Sequence, residues 1–193
     1  KLINEWNVVI TESGMDMLGA NILTPSQSND GFDFIWVMRW PSMSARNAGW
    51  DWWNSSGAQD NWAESINGIM SFSIDNVFPF EVAEVTQPRV ENNSGSFLNR
   101  FHFCNFNDGS DSTSLKEFKK AVDSTIWSDT YWNVLLNPMF DADPKSDFVW
   151  LDLWADQSDK DSALGKFMDS EYANMYVDSF TCNTTDFSGV VIR

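Results

Sequence analysis

The sequence predicts an α+β fold built from two tandem repeats, each in the order strand, helix, strand, strand, helix, strand. Segments 33–40 and 147–154 are rich in β-branched and aromatic residues and are bounded by turn formers, as strands are. The two segments match at three aromatic positions with a constant offset of 114 residues: Phe34, Trp36 and Trp40 correspond to Phe148, Trp150 and Trp154. Matches continue in the helical segments after both strands, which indicates an internal repeat.

The C-terminal repeat, residues 93–193, shows all six elements. Its strands are predicted at 100–107, 131–136, 147–154 and 180–192. The first helix is predicted over 115–127, because Ser114 and Glu117 have the spacing of a capping box and apolar residues follow at helical intervals. The second helix is predicted over 161–176, where apolar side chains form one stripe.

The N-terminal repeat, residues 1–92, shows the same order with its first helix shortened. Its strands are predicted at 5–11, 33–40, 70–74 and 77–85. Only the short segment 15–23 lies between the first two strands, where the other repeat has a helix. The helical pattern after Pro41 is rougher because two glycines interrupt it. The polar, turn-rich stretch 86–95 is the predicted linker, with the boundary near Asn93.

Charge and composition exclude several function classes. With 28 acidic against 12 basic residues, the chain carries a net charge of −16, which would repel nucleic acid and anionic membranes. No apolar run approaches the length of a membrane span. The chain begins at Lys1 with no signal-peptide pattern, so the compartment is left open, with the cytoplasm favoured. The acidic clusters lack the spacing of an EF-hand, although loose divalent binding stays open.

The small counts of cysteine and histidine limit the chemistry. Cys104 and Cys182 are the only two cysteines and belong to no CxxC motif, so their state is left open. One histidine excludes multi-histidine zinc and iron sites, and we expect no metal and no bound cofactor. Haem is a minor alternative, for which His102 would be the only histidine ligand on offer.

The paired aromatic strands and their trailing helices resemble those of the dimeric α+β barrels, a superfamily of ferredoxin-like proteins. It includes stress-responsive A/B barrel proteins, antibiotic-biosynthesis monooxygenases and many uncharacterised members. The resemblance covers nearly the whole chain, and it implies a barrel of two sheets with an internal cavity, formed within one chain or between chains. No catalytic motif of the group matches. The acidic, lysine-poor and asparagine-rich composition is similar to that of marine bacterial proteins.

Strand alternation sorts the side chains that could line such a cavity. The aliphatic faces of strands 33–40 and 147–154 suit packing under helices, so we expect the aromatic faces to point into the barrel. The predicted substrate-binding residues are those of the aromatic faces together with an amide that could orient a carbonyl: Trp36, Met38, Trp40, Asn105, Trp150 and Trp154.

Two candidate catalytic residues follow. Asp152 is a carboxylate in an aromatic row, where burial raises a pKa and creates a general acid or base. The alternatives are structural pairing with Arg39, Arg100 or a backbone amide, or a position at a strand end that is open to water. His102, on strand 100–107, is a proton carrier or a satisfied packing residue.

Three functions remain open. The first is an enzyme that acts on a small apolar or aromatic molecule by proton transfer or oxygen insertion, without metal or coenzyme. The second is a binding module with the same pocket and no catalytic pair. The third is a structural homo-oligomer whose aromatic rows are filled core and interface.

Overall fold

The computed structural model describes residues 1–73, 75–141 and 143–193 and shows an α+β protein. The chain divides into two compact units. One comprises Lys1–Leu23, Phe34–Val77 and Val190–Arg193, and the other comprises Thr24–Asp33 and Phe78–Gly189. These units are not the two halves of the chain, and the repeat boundary near Asn93 stays a prediction.

The first unit contains three helices and a hairpin. Its elements are α1 (Leu2–Ser13), β1 (Gly19–Pro25), whose last two residues belong to the second unit, β2 (Ile35–Arg39), α2 (Met43–Ser55) and α3 (Ala58–Ser65). Strands β1 and β2 pair antiparallel, with Gly19 opposite Arg39. Its core is dominated by tryptophan, and the rings of Trp6 and Trp36 meet edge to face at 5.1 Å.

The second unit contains most of the sheet. Its elements are β3 (Phe80–Thr86), β4 (Ser96–Phe106), α4 (Ser112–Asp123), β5 (Trp132–Pro138), β6 (Phe148–Trp154), α5 (Gln157–Met168), α6 (Glu171–Ser179) and β7 (Phe180–Val191), whose last two residues belong to the first unit. The strands lie in the order β7-β4-β6-β5-β3, and β6 pairs antiparallel with both β4 and β5. This order places β4 and β6, which carry the two candidate catalytic residues, next to each other.

The aromatic face of β6 packs under the helices of this unit. Trp150 and Trp154 belong to one buried cluster with Phe118 of α4 and Ala163 of α5. The opposite face holds aliphatic residues such as Val149 and forms a separate cluster. The prediction that the aromatic faces point away from the helices is therefore wrong. Both faces of β6 are apolar, so alternation alone cannot tell which face the helices cover.

Strands β4 and β7 are joined by a disulfide between Cys104 and Cys182. The two residues are 78 positions apart in the sequence, and Cys104 is fully buried. The bond therefore closes a long loop across neighbouring strands, which restricts the unfolded chain.

The N-terminal elements differ from the prediction. Residues 5–11, predicted as a strand, lie within helix α1, and β1 occupies the segment predicted as the shortened helix. The run of valines and isoleucine favours a strand locally, but Trp6 and Ile10, four residues apart, are buried together on one helical face. Residues 70–73 form no strand, and Ile74 lies outside the described residues.

The C-terminal elements follow the predicted order, with different helix boundaries. Helix α4 begins one residue after Asp111, whose carboxylate accepts from the backbone N–H of Ser114, so the capping box lies three residues earlier than predicted. An aspartate at this position is a strong N-cap. The predicted second helix is divided in two, because α5 ends at Met168 and Ser170 caps the start of α6.

Candidate functional site

Asp152 and His102 lie side by side on the helix-covered face of the sheet. Asp152 projects from β6 and His102 from the adjacent strand β4, where His102 is paired with Trp150. The distance between His102 Nε2 and Asp152 Oδ2 is 2.9 Å, and the two side chains are only 11% and 13% exposed. The two residues predicted as catalytic are therefore brought into direct contact.

Two further donors hold the carboxylate. The Tyr131 hydroxyl and the Trp150 indole N–H both donate to Asp152 Oδ1, each at 2.7 Å. Three side chains therefore contact one carboxylate, which fixes its orientation within an otherwise aromatic layer.

Asp152 is an anion at neutral pH. Burial alone would raise the pKa of Asp152, but the hydrogen bond and charge of His102, with the donors on Tyr131 and Trp150, lower it below its ordinary value. The sequence-based expectation of a raised pKa is therefore wrong, because burial is more than offset by these partners. Asp152 serves as an acceptor rather than as a proton donor.

Tyr176, on helix α6, contacts His102 from its other side. We call the hydrogen-bonded side chains Asp152, His102, Tyr131, Trp150 and Tyr176 the array. The Tyr176 hydroxyl lies 3.0 Å from His102 Nδ1, on the opposite side of the imidazole from Asp152. Because Asp152 is ionised and can only accept, we assign the proton of neutral His102 to Nε2. His102 Nδ1 is then the acceptor for the Tyr176 hydroxyl, so Tyr176, His102 and Asp152 form a hydrogen-bonded line.

Both tyrosines of the array are held in the neutral form. Burial, followed by the negative charge of Asp152, raises the pKa of Tyr131 well above its ordinary value. The same two causes raise the pKa of Tyr176 to about 12, and the positive charge of Arg100 opposes them. A Tyr176 phenol of this kind gives up its proton only when another group accepts it in the same step.

An ion-pair cluster borders the array. Arg100, opposite Asp152 in the β4–β6 pair, donates two hydrogen bonds of 2.8 Å to Asp186 of β7. Lys160 of α5 also contacts Asp186, at 2.8 Å. Burial would raise the pKa of Asp186, but the hydrogen bonds from Arg100 and Lys160 lower it to about 2. Both cations beside the array therefore share the carboxylate of Asp186 as their partner.

The predicted substrate-binding residues of β6 and β4 are not grouped around one pocket. Trp150 and Trp154 are 5% and 2% exposed and are packed in the core, although Trp150 also contacts Asp152 through its indole N–H. Asn105 is exposed near the end of β4. Because residues two apart share a strand face, Asn105 lies on the opposite face from His102.

The other three predicted binding residues lie in the first unit. Trp36 and Met38 pack against the tryptophan core beneath its helices. The ring of Trp40 lies against Gly49 of α2, where a Cβ atom would collide with it. These side chains fill space between strand and helix. Their role in substrate binding stays a prediction.

Tyr131 and Tyr176, which contact Asp152 and His102, are not among the site residues predicted from the sequence. The chain has only three tyrosines; Tyr131 lies at the start of the strand predicted at 131–136, and Tyr176 lies on the apolar stripe of the helix predicted at 161–176. A tyrosine on an apolar stripe is itself a signal of a polar contact, since a buried phenol hydroxyl usually finds a hydrogen-bond partner.

The surroundings of His102 do not fit a ligand of haem iron. Both ring nitrogens of His102 already have hydrogen-bond partners on the protein, which leaves neither directed toward an axial position. Within residues 1–73, 75–141 and 143–193, no group of three or more His, Cys, Asp or Glu side chains is arranged to hold a metal ion.

Comparison with known proteins supports the fold class. No family model matches the chain, and no curated protein matches it. A crystal structure described as a "putative monooxygenase" from Lactobacillus acidophilus NCFM is similar with a TM-score of 0.53 and 12% identity. The similarity covers 99% of this chain and 89% of that one, and at this identity it shows a shared α+β fold alone. No described helix is long and apolar enough to cross a membrane.

Proposed function

We propose that the chain binds a small apolar or aromatic molecule and catalyses proton transfer on it at the His102–Asp152 pair, without a cofactor. The observation that carries this proposal is the 2.9 Å contact between His102 Nε2 and Asp152 Oδ2. A histidine oriented by an ionised carboxylate keeps its other nitrogen unprotonated and able to take a proton, and the carboxylate stabilises the imidazolium that forms.

Monooxygenase-type chemistry is the finer form of this proposal. Removing a proton from a phenol or enol leaves an electron-rich anion, which is the species that molecular oxygen attacks when no cofactor is present. The structural neighbour supports this chemistry through its fold only, since function depends on the site rather than on the fold.

A tandem repeat of ferredoxin-like units is part of the same proposal. The elements α1, β1, β2, α2–α3 and β3 occur in the same order as α4, β5, β6, α5–α6 and β7. This correspondence supports a barrel of the dimeric α+β kind, and assembly into a homo-oligomer remains a proposal with it. The Cys104–Cys182 bond favours an oxidising compartment over the cytoplasm.

The test is hydrogen exchange on a simple aromatic ketone. Phenylacetone is incubated with the purified chain in D2O, and loss of its benzylic C–H signal is followed by proton NMR. We expect exchange above the buffer rate, and a loss of about 100-fold or more in Asp152→Asn, the range usual for a general acid–base group. Asp51→Asn, which removes the same charge from an exposed position on α2, should leave exchange unchanged. Exchange at the buffer rate would contradict the proposal.

The second candidate function is a non-catalytic protein with a filled core. It is favoured by the burial of Trp150 and Trp154, which leaves little space beside them. Native mass spectrometry of freshly purified chain discriminates the two. A molecule released near one per chain supports a ligand site, whereas a bare oligomer that also lacks exchange activity supports the structural role.

A further inference from the structure

We propose that Tyr176 is the catalytic residue that contacts the substrate, and that the substrate is a small, neutral aromatic carbonyl compound. This inference rests on the proposed proton-transfer function and specifies it. It assigns a role to a residue on α6 that no strand pattern indicates, and it places the reacting end of the array at the phenol rather than at the imidazole.

Tyr176, His102 and Asp152 are hydrogen-bonded in that order. Asp152 contacts His102 Nε2 at 2.9 Å and the Tyr176 hydroxyl contacts Nδ1 at 3.0 Å, so both imidazole nitrogens are occupied. A substrate cannot reach His102 Nδ1 without displacing the phenol. Tyr176 is only partly buried, whereas His102 is buried. Tyr176 is therefore the outermost member of the line.

The distances are those of an activated side chain. An acidic or nucleophilic group, a base within about 3.2 Å and a third group that orients the base form the general pattern of such sites. Here the groups are Tyr176, His102 and Asp152, and Asp152 is itself held by Tyr131 and Trp150. Because the orienting carboxylate is fixed, the imidazole is fixed, and the acceptor Nδ1 stays directed at the phenol.

The proton-transfer step balances without any added reagent. The C–H bond next to the substrate carbonyl breaks, and its electron pair stays on the substrate as an enolate. The proton goes to the oxygen of Tyr176, while the hydroxyl proton of Tyr176 moves to His102 Nδ1. The resulting imidazolium is held by Asp152. Return of the protons in the reverse direction regenerates all three groups, and no oxidant or reductant is consumed.

The surroundings of Tyr176 define the substrate class. Its ring packs against Phe118, Phe167 and Phe180, with centroid distances of 5.7, 6.1 and 6.1 Å, so the surroundings of the Tyr176 side chain are apolar and aromatic. The two cations beside the array already contact one carboxylate, that of Asp186. A chain of net charge −16 also repels anions, which favours a neutral substrate.

The decisive variant is Tyr176→Phe, with Tyr172→Phe as its matched control. Tyr172 lies one turn earlier on the same helix, and its ring packs against Trp127. With phenylacetone in D2O, we expect Tyr176→Phe to lower kcat for exchange by about 100-fold with KM changed less than threefold, and Tyr172→Phe to leave both unchanged. A merely structural hydroxyl would not lower kcat selectively in this way.

Each outcome separates the inference from the proposed function. If wild type exchanges phenylacetone and Asp152→Asn does not, but Tyr176→Phe is fully active, then the role of Tyr176 is overturned and the proposed function stands. If wild type itself gives only the buffer rate, both are overturned. Circular dichroism of each variant must match wild type, and if Tyr176→Phe fails to fold, Tyr176→Trp is used in the same comparison.

Substrate charge is tested with phenylpyruvate, which has the same benzylic carbon next to a carbonyl but carries a carboxylate. We expect kcat/KM for phenylpyruvate to be at least tenfold below that for phenylacetone. A preference for phenylpyruvate would overturn the assignment of a neutral substrate, because it would mean that Arg100 or Lys160 binds the carboxylate.

Discussion

Replacing Asp152 by asparagine tests the hydrogen-bond array through stability. Asparagine keeps one oxygen, so if that oxygen takes the position of Oδ1 it still accepts from Tyr131 and Trp150. Its NH2 group then meets His102 Nε2–H, and two donors face each other. The contact at 2.9 Å is lost, or the imidazole changes tautomer and Nδ1–H becomes the donor to the Tyr176 hydroxyl. The variant therefore loses at least one charge-assisted hydrogen bond and the negative charge.

The magnitude follows from these losses. A buried hydrogen bond to a charged group contributes about 1.5–3 kcal/mol, and weakening of the two remaining bonds adds about 1 kcal/mol. We therefore expect Asp152→Asn to lower the free energy of unfolding by about 3 kcal/mol at pH 7. The measurement is urea denaturation followed by tryptophan fluorescence and circular dichroism. Asp51→Asn is the control and should remain within about 0.5 kcal/mol of wild type.

The loss of stability in Asp152→Asn should depend on pH. The pKa of Asp152 is lower in the folded chain than its ordinary value of 3.8, so its contribution is fully present above about pH 4 and is lost as the pH falls. The difference between wild type and Asp152→Asn should therefore shrink below pH 4. A difference under about 0.5 kcal/mol at pH 7, or one that grows on acidification, would refute the reasoning.

Three other changes have defined consequences. Cys182→Ser removes a bond that closes a 78-residue separation and should cost about 3 kcal/mol in urea, whereas adding reductant should not destabilise this variant further. Asp186→Asn leaves Arg100 without its charged partner and should lower the free energy of unfolding by about 2 kcal/mol at pH 7. Because the pKa of Asp186 is about 2, this cost should fade between pH 4 and pH 2, and a cost that does not change with pH would contradict the prediction. Gly189→Ala places a methyl group against the ring of Phe97 and should lower the urea midpoint by an amount equivalent to about 1–3 kcal/mol, and an unchanged midpoint would show that the ring moves freely.

The sequence predicted elements with strong local signals and failed where tertiary contacts decide. Strand β6 and helix α4 were predictable because their composition and periodicity agree with their surroundings. The β-branched residues of segment 5–11 favour a strand locally, whereas burial of Trp6 against Trp53 and Trp62 favours the helix. Local propensity is a weak guide when core packing opposes it.

The candidate site was predictable in part for a related reason. Asp152 and His102 are predictable as candidate site residues because each is a titratable side chain on an otherwise apolar strand. The sequence does not contain the register that sets β4 against β6, nor the position of α6 over His102, so neither their contact nor the role of Tyr176 could be derived. Both depend on pairing between segments that are distant in the chain.

The most direct test of the account is nitrogen-15 NMR of the chain labelled at histidine. His102 is the only histidine, so its two ring nitrogens give the only labelled signals. We predict that the neutral tautomer carries its proton on Nε2, and that the signal of the unprotonated Nδ1 shifts in Tyr176→Phe but not in Tyr172→Phe. A proton on Nδ1, or a Nδ1 signal that is unchanged by loss of the Tyr176 hydroxyl, would contradict the relay from Tyr176 through His102 to Asp152.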